Sequence, residues 1–546
     1  MEIKINIGNW QYNAGIVGLF NILNNANKDC VRLENNMMYF DSLELENFEE
    51  KYFNYLTKIY EKMLSWYKIV SFKERIDYFK QKNILDEDDL IQINNYVKDI
   101  LKKYLKSNSY IAAYDFIEGK IDPLKEEKLL KTIVIKKNEK IEDKATEIKE
   151  LLEKVDKIVE YFSSENAKKY ICAKNIIYTV IKNGWDGVSF LNAQTKEKDV
   201  YKDFKNYFLS PLFEYFSEDS DKYKYNCFIC DRKIKNLNSD FNFLTNTGFD
   251  IARKSSHVWN FTNDISMCPV CKLVYSCVPA GFTYVYGAGL FINSNTNIGE
   301  LIRINSKLKT EIYREKSLSG IYKILNREIQ EDIKYELEDI QVVRFENMKY
   351  MFNILSKNMI RVLVESKDEF LKLENYSYKF NGENYSLIDE ILRKLLNNEN
   401  LFNLIHKLIY SKITIPNQYL NEKGIFSTIK INFKMLKGTG YMETKELDVL
   451  SKARLAGRNL KEKYEAKKAE HKLQGICYRL LNGIKTNNIS MTMDTILNCY
   501  LYCDEAVPKI IMEMMENEEV FKEIGYAFIS GLLSVKYIDN KDKGGN

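Results

Sequence analysis

A chain of 546 residues with 81 basic and 77 acidic side chains, net +4, is too nearly balanced to act as a bulk polycation, so any nucleic-acid contact must come from local patches. Its hydrophobic share of 45% is enough for large cores, and the scarcity of breakers (six prolines and 23 glycines) favours a mostly helical protein. No run approaches the ~18 apolar residues of a membrane span, the longest candidate lying near Phe528 to Val535, and no signal-peptide core follows Met1; a cytosolic protein is expected.

Glu2-Ile-Lys-Ile-Asn-Ile7 alternates as a strand does, Gly8-Asn9-Trp10 turns, and a helix follows through Ala14 to Phe20. Gly15 and Gly18 lie three apart on one face of that helix. Close packing explains them better than phosphate contact, because no complete glycine-rich phosphate-binding motif accompanies them. Helical periodicity runs from Phe53 to about Leu105, and Thr132–Lys136 reads as a short strand. Ile141, Ala145, Ile148, Leu152, Val155, Val159 and Phe162 then form one apolar seam, more often packed on its own protein than a coiled-coil partner face. Gly184-Trp-Asp-Gly187 ends a helix, and the polar loop beyond carries Asn192, Gln194, Lys196 and Lys198.

Two dicysteine knuckles follow, Cys227-Phe-Ile-Cys230 and Cys268-Pro-Val-Cys271, separated by 37 residues. Cysteines three apart turn both sulfurs toward one point, so each knuckle supplies half of a tetrahedral thiolate site. A closed four-sulfur set selects zinc or iron–sulfur, and structural Zn2+ held by Cys227, Cys230, Cys268 and Cys271 is predicted. Cys30, Cys172, Cys277, Cys477, Cys499 and Cys503 read as small buried apolar residues, Cys277 being near enough to substitute in the site. The stretch between the knuckles mixes few net charges with Phe241, Phe243, Phe249, Trp259 and Phe261, which suits a small metal-clamped core.

Beyond Cys271 the chain turns strand-rich at Phe282–Tyr286, Leu290–Ile292 and Ile340–Phe345. Tyr376–Phe380 runs into Asn381-Gly382, a strong hairpin signal, and Ser386 with Asp389 resembles a capping box. From Ser386 to about Tyr537 the pattern is almost wholly helical, and the tail Asn540–Asn546 is too polar to pack.

Three histidines, His257, His406 and His471, leave little room for metal-finger nuclease chemistry; His257 and Asn260 are the one pair near the knuckles. No phosphate-binding loop or nucleophile elbow is present, so a non-enzymatic chain is expected. One patch stands out: between Lys445 and Lys472 there are nine basic residues against five acidic. Arg454, Arg458, Lys461, Lys468 and Lys472 recur at helical steps, interrupted by Glu465, opposite Leu447, Leu450, Leu460 and Tyr464. Such a face can follow a phosphate backbone without reading sequence.

Taken together, Trp10-Gln-Tyr-Asn-Ala-Gly-Ile-Val-Gly18-Leu-Phe, the two knuckles, Val278-Pro-Ala-Gly281, Ala453-Arg-Leu-Ala-Gly457 and Tyr478-Arg-Leu-Leu481-Asn make a sequence that resembles the CXXC–CXXC type of large subunit in type I-B CRISPR effector complexes (Cascade). The resemblance implies a non-catalytic subunit of a guide RNA–protein complex containing backbone and small subunits. Such a subunit recognises a short motif beside the target in duplex DNA, holds the displaced single strand and docks a helicase–nuclease. Asn192, Gln194 and Lys196 are candidates for motif reading on polarity alone, and Arg454, Arg458, Lys461, Lys468 and Lys472 for backbone contact.

The expected fold is α+β: a mixed amino-terminal domain over 1–385 containing a zinc-binding insert at 227–271, an all-α bundle over 386–537 resembling a small subunit, and a disordered tail over 538–546. The alternatives are a zinc-containing nuclease or nucleic-acid-processing enzyme, and an interaction protein that uses the seam from Ile141 to Phe162.

Overall fold

The amino-terminal alternation becomes a strand, Glu2–Asn6, with Ile3 and Ile5 buried and their neighbours exposed. It pairs antiparallel with Met37–Asp41, which pairs in turn with Val31–Glu34. These coordinates come from a computed structural model that describes residues 1–82, 85–119, 121–136, 139–219, 222–248, 265–285, 287–294, 297–315, 340–355, 357–373, 375–415, 420–438, 440 and 446–534. The described chain is a mixed α+β protein, 64% helical, and from Leu387 onward its elements are all helices.

It divides into two units. One holds Met1–Asn305 and Val343–Met351; the other holds the described residues from Ser306 to Val342 and from Phe352 onward.

In the first unit, Asn9 caps the Trp10–Ala26 helix by accepting the N–H groups of Gln11 and Tyr12. The helix is buried on nearly every side, and its glycines show why. A Cβ on Gly15 would lie 2.3 Å from the Val274 carbonyl oxygen, and one on Gly18 would lie 1.9 Å from that of Cys277. The helix therefore crosses Pro269–Ser276 and Val278–Gly281 backbone to backbone, so the glycines serve packing.

The apolar seam forms the buried face of the Ala145–Ser163 helix: Ile148, Leu152, Val155, Val159 and Phe162 are all covered, while Ala145 is exposed and Ile141 half-buried. Trp66 donates its indole N–H to the Phe162 carbonyl at 2.8 Å, and Asp156 binds Lys73 at 2.5 Å and also Lys80. The seam is covered by its own chain, which leaves the interaction-protein reading without its surface.

Thr132–Lys136 is not a strand. The side-chain amide of Asn94 accepts from the Ile133 N–H at 2.9 Å and donates to its carbonyl at 2.8 Å, filling both hydrogen bonds a neighbouring strand would offer. Strands do form at Thr283–Val285, Ala288–Asn293, Ile340–Glu346 and Lys349–Leu355, joined in that order in one sheet.

In the second unit, Ser377–Phe380 and Glu383–Ser386 make the expected hairpin, with Asn381 at φ 50° and Gly382 at φ 88° in its turn. Ser386 then caps Leu387–Leu396 by accepting the Asp389 N–H. Asp448–Ala466 crosses Glu518–Leu532 backbone to backbone. A Cβ on Gly457 would stand 2.1 Å from the Phe528 carbonyl oxygen, and one on Gly531 would stand 2.1 Å from that of Arg454. The tail from 538 to 546 lies outside the described residues.

Candidate metal centre and basic surfaces

The first knuckle sits between two short antiparallel strands, Tyr225–Asn226 and Lys233–Ile234. The turn is closed by Cys227 N–H to the Arg232 carbonyl at 2.7 Å and Asp231 N–H to the Cys227 carbonyl at 2.9 Å. The second knuckle opens the Pro269–Ser276 helix: Cys268 is its cap, its sulfur accepting the Cys271 N–H at 3.4 Å, and Pro269 occupies the first turn. Both sulfurs of this knuckle therefore lie at a helix amino terminus, where partial positive charge favours thiolates.

All four sulfurs lie within 4.8 Å of one another. Cys227 and Cys271 are 3.8 Å apart, Cys230 and Cys268 3.6 Å. Thiolates about 2.3 Å from one tetrahedral zinc stand about 3.8 Å from each other, so the donor set fits that ion. Among the described residues no other group of three or more histidine, cysteine or carboxylate side chains comes this close.

Three of the four cysteines are buried and Cys230 is half-buried. Hydrogen bonds from the other three thiols, Cys230 first, favour the Cys227 thiolate. Burial then holds the Cys268 thiol above its ordinary range, and its bond with Cys227 does the same for Cys271. All four can be thiolates in this buried spot only with a compensating cation.

Outer contacts complete the centre. The Tyr12 hydroxyl lies 3.3 Å from the Cys271 sulfur, and burial, then the Cys271 charge, keeps that phenol protonated and so a donor. Arg232 donates to the Cys230 sulfur at 3.4 Å and also to the Lys4 carbonyl. Asn9 donates to the Tyr275 hydroxyl at 3.1 Å. The amino-terminal strand and helix are thereby tied to the sulfur cluster.

Beneath it, Phe241, Phe243 and Leu244 are buried, with Phe241 edge-on to Tyr275 at 6.0 Å. Cys277 is buried beside Ser276 and is not one of the four. Cys172, Cys477, Cys499 and Cys503 are buried thiols and Cys30 is half-buried. His257, Asn260, Phe249, Trp259 and Phe261 lie outside the described residues.

The basic stretch of the second unit is rearranged relative to expectation. Its helix ends at Ala466, Lys468 takes a left-handed φ of 54°, and Glu470–Lys472 is a separate turn. Lys468 and Lys472 therefore do not continue one helical face with Arg454, Arg458 and Lys461. The guanidinium of Arg454 lies 4.5 Å from the Phe426 ring centre, Arg458 pairs with Glu462 at 3.2 Å, and Lys461 donates to the Ser534 carbonyl. Lys467 and Lys472 flank the Tyr502 ring at 5.4 and 4.5 Å, while Lys468 is exposed; Lys445 lies outside the described residues.

In the first unit Asn192, Gln194 and Lys196 are exposed on one loop, Asn192 accepting the Gln194 N–H at 2.9 Å. Sequence reading missed the outer contacts Tyr12 and Arg232. It also missed the lysine face of the helix Glu422–Gly438, whose solvent-reaching side chains are all lysines. The signal for that face was present as steps of seven, four and three residues, submerged in a lysine-rich chain.

No described helix is long and apolar enough to cross a membrane. No curated protein and no solved structure matches the chain. Residues 220–283, the segment that carries both knuckles, match the model of a family described as CRISPR-associated protein (Cas_CXXC_CXXC), and in that segment the chain is similar to its members.

Proposed function

We propose that this chain is a non-catalytic large subunit of a type I-B RNA-guided CRISPR surveillance complex, carrying one structural zinc. The observation that carries this reading is the coincidence of the family match over 220–283 with four cysteines converging on one point. Bound at Cys227, Cys230, Cys268 and Cys271, zinc would offset half of the thiolate charge and have its ligands supplied by the protein, leaving no position for a reacting water. The chain's own residues do the rest: Tyr12 and Arg232 donate to the sulfurs and join the strand and helix at 2–26 to the knuckles. Base pairing with a guide RNA supplies sequence choice, so the protein needs a reader for a short target-adjacent motif and contacts to DNA backbone. In this reading it works in the cytoplasm with backbone and small subunits, recognises duplex DNA, holds the displaced strand and docks a helicase–nuclease.

Affinity purification of the tagged chain from its native cells, followed by sequencing of bound RNA, tests the proposal. Guide RNA with repeat-derived ends and a set of repeated backbone subunits are expected; recovery as a lone, RNA-free protein contradicts it. Incubation of pure protein with Mg2+ or Mn2+ and labelled DNA separates the nuclease alternative, which requires metal-dependent cleavage abolished by His257→Ala.

A further inference from the structure

The helix Glu422–Gly438 is buried around most of its circumference, and apart from Gly438 the residues that reach solvent are Lys423, Lys430, Lys434 and Lys437. Their spacing sets them along one side of the helix, over about 21 Å at 1.5 Å per residue. A neighbouring helix adds to this side: Arg454 and Lys430 approach the same Phe426 ring, at 4.5 and 5.1 Å, and Arg458 follows one turn beyond Arg454. Lys372 comes from the Lys367–Leu373 helix, which packs on Glu422–Gly438.

The carboxylates nearby do not neutralise this face. Glu369 is buried and bound to Lys434 at 2.8 Å, Glu462 is taken by Arg458, and Glu422 is buried. Glu365 and Asp368 are exposed on the adjoining helices. Among the described residues no carboxylate comes within 4.0 Å of the charged nitrogens of Lys372, Lys430, Lys437 or Arg454. Burial first, then Lys372, Lys434 and Arg454, lowers the proton affinity of Lys430 against the pull of Glu369. Burial likewise lowers that of Arg454, with Arg458 adding and Glu422 opposing. Cations that weaken one another in this way make a surface that an external anion relieves.

We propose that Lys372, Lys430, Lys437, Arg454 and Arg458 form a binding surface for the phosphodiester backbone of DNA. This rests on the reading of the chain as a DNA-holding subunit and assigns that role to a surface centred on Glu422–Gly438, with the turn at 467–472 outside it. Phosphate contacts of this kind position a strand without reading its bases, and each releases counterions on binding.

Full-length protein is titrated against fluorescein-labelled oligo(dT) of about 30 nucleotides, and separately against a duplex of similar length, between about 50 and 200 mM KCl. The variant Lys430→Gln/Lys437→Gln/Arg454→Gln is expected to bind at least about tenfold more weakly, with a log Kd–log salt slope shallower by about 2. The preferred arm, single strand or duplex, identifies the form held. Lys437→Gln alone changes only an exposed side chain, so a two- to threefold loss at unchanged melting temperature separates contact from misfolding, and no loss counts against the proposal. Lys467→Gln/Lys468→Gln/Lys472→Gln is expected to leave the slope nearly unchanged. If wild-type protein binds DNA and the Lys430 triple variant keeps the same slope, this surface is wrong and the subunit reading stands. If wild-type protein binds neither DNA and carries no guide RNA, both fall.

Discussion

The first unit gathers its fold around four sulfurs, with Tyr12, Arg232 and Asn9 tying a distant strand and helix to the same place, whereas the second has no such cluster among its described residues and joins its helices through glycine-to-carbonyl contact, buried side chains and polar pairs such as Lys434–Glu369. The first arrangement makes part of the core conditional on an ion and on thiol deprotonation. The second depends on volume and on a fully buried carboxyl group. Glu523 is fully buried, accepts from the Asn432 amide at 2.5 Å through one oxygen, and has no partner for the other among the described residues. Metal removal and acid should therefore act on the first unit and alkali on the second, while a methyl added at a glycine crossing disturbs either.

The largest expected effect is on the metal. Cys268→Ser should lose the ion and unmask amide hydrogen exchange around 225–248 and 265–294, while Glu518–Leu532 keeps its protection. Protection that is unchanged in the first unit would remove the cluster as its fastener. Buried carboxyl chemistry comes next. Burial pushes the Glu523 carboxyl up to about 8 from 4.5, so the folded state holds a proton that the unfolded chain releases between those pH values. Stability then falls as pH rises through that window and flattens above it. Glu523→Gln should raise the melting temperature at pH 8, by roughly 2–4 kcal/mol of stability, and change it little at pH 4.5; an equal shift at both pH values contradicts this.

Gly18→Ala and Gly457→Ala each force a methyl onto a carbonyl oxygen, and each should cost about 3 kcal/mol in thermal or denaturant melts. The pair sharpens the contrast, because Gly18→Ala alone is expected also to speed zinc loss. The smallest effect belongs to Tyr12→Phe, which removes one donor to Cys271 and nothing else. About tenfold faster release of zinc to a chromophoric chelator is expected, at nearly unchanged melting of the zinc-bound protein; release at the wild-type rate would reduce Tyr12 to a packing residue.

What could be read from the chain follows the range of the interactions. Each knuckle is four residues long, so its geometry is local and its spacing alone brought Cys227, Cys230, Cys268 and Cys271 into view. The Asn381-Gly382 turn and the Ser386 cap are local too: the hairpin formed as expected, and of the capping box Ser386 accepts the Asp389 N–H. Tyr12 meets Cys271 across 259 positions, a pairing that no pattern encodes. Thr132–Lys136 has strand composition, yet the remote Asn94 takes its hydrogen bonds. The long basic face failed at one residue, Lys468, whose left-handed backbone ends any continuation of the helix. The lysines of Glu422–Gly438 stood out only once the rest of that helix was seen to be buried.

The most direct test is metal content of the full-length protein purified in metal-free buffer, measured by plasma mass spectrometry beside Cys268→Ser. About one zinc per chain in the wild type and nearly none in the variant is the expected result. A wild-type protein devoid of metal that melts at the same temperature as the variant would contradict a sulfur-held first unit.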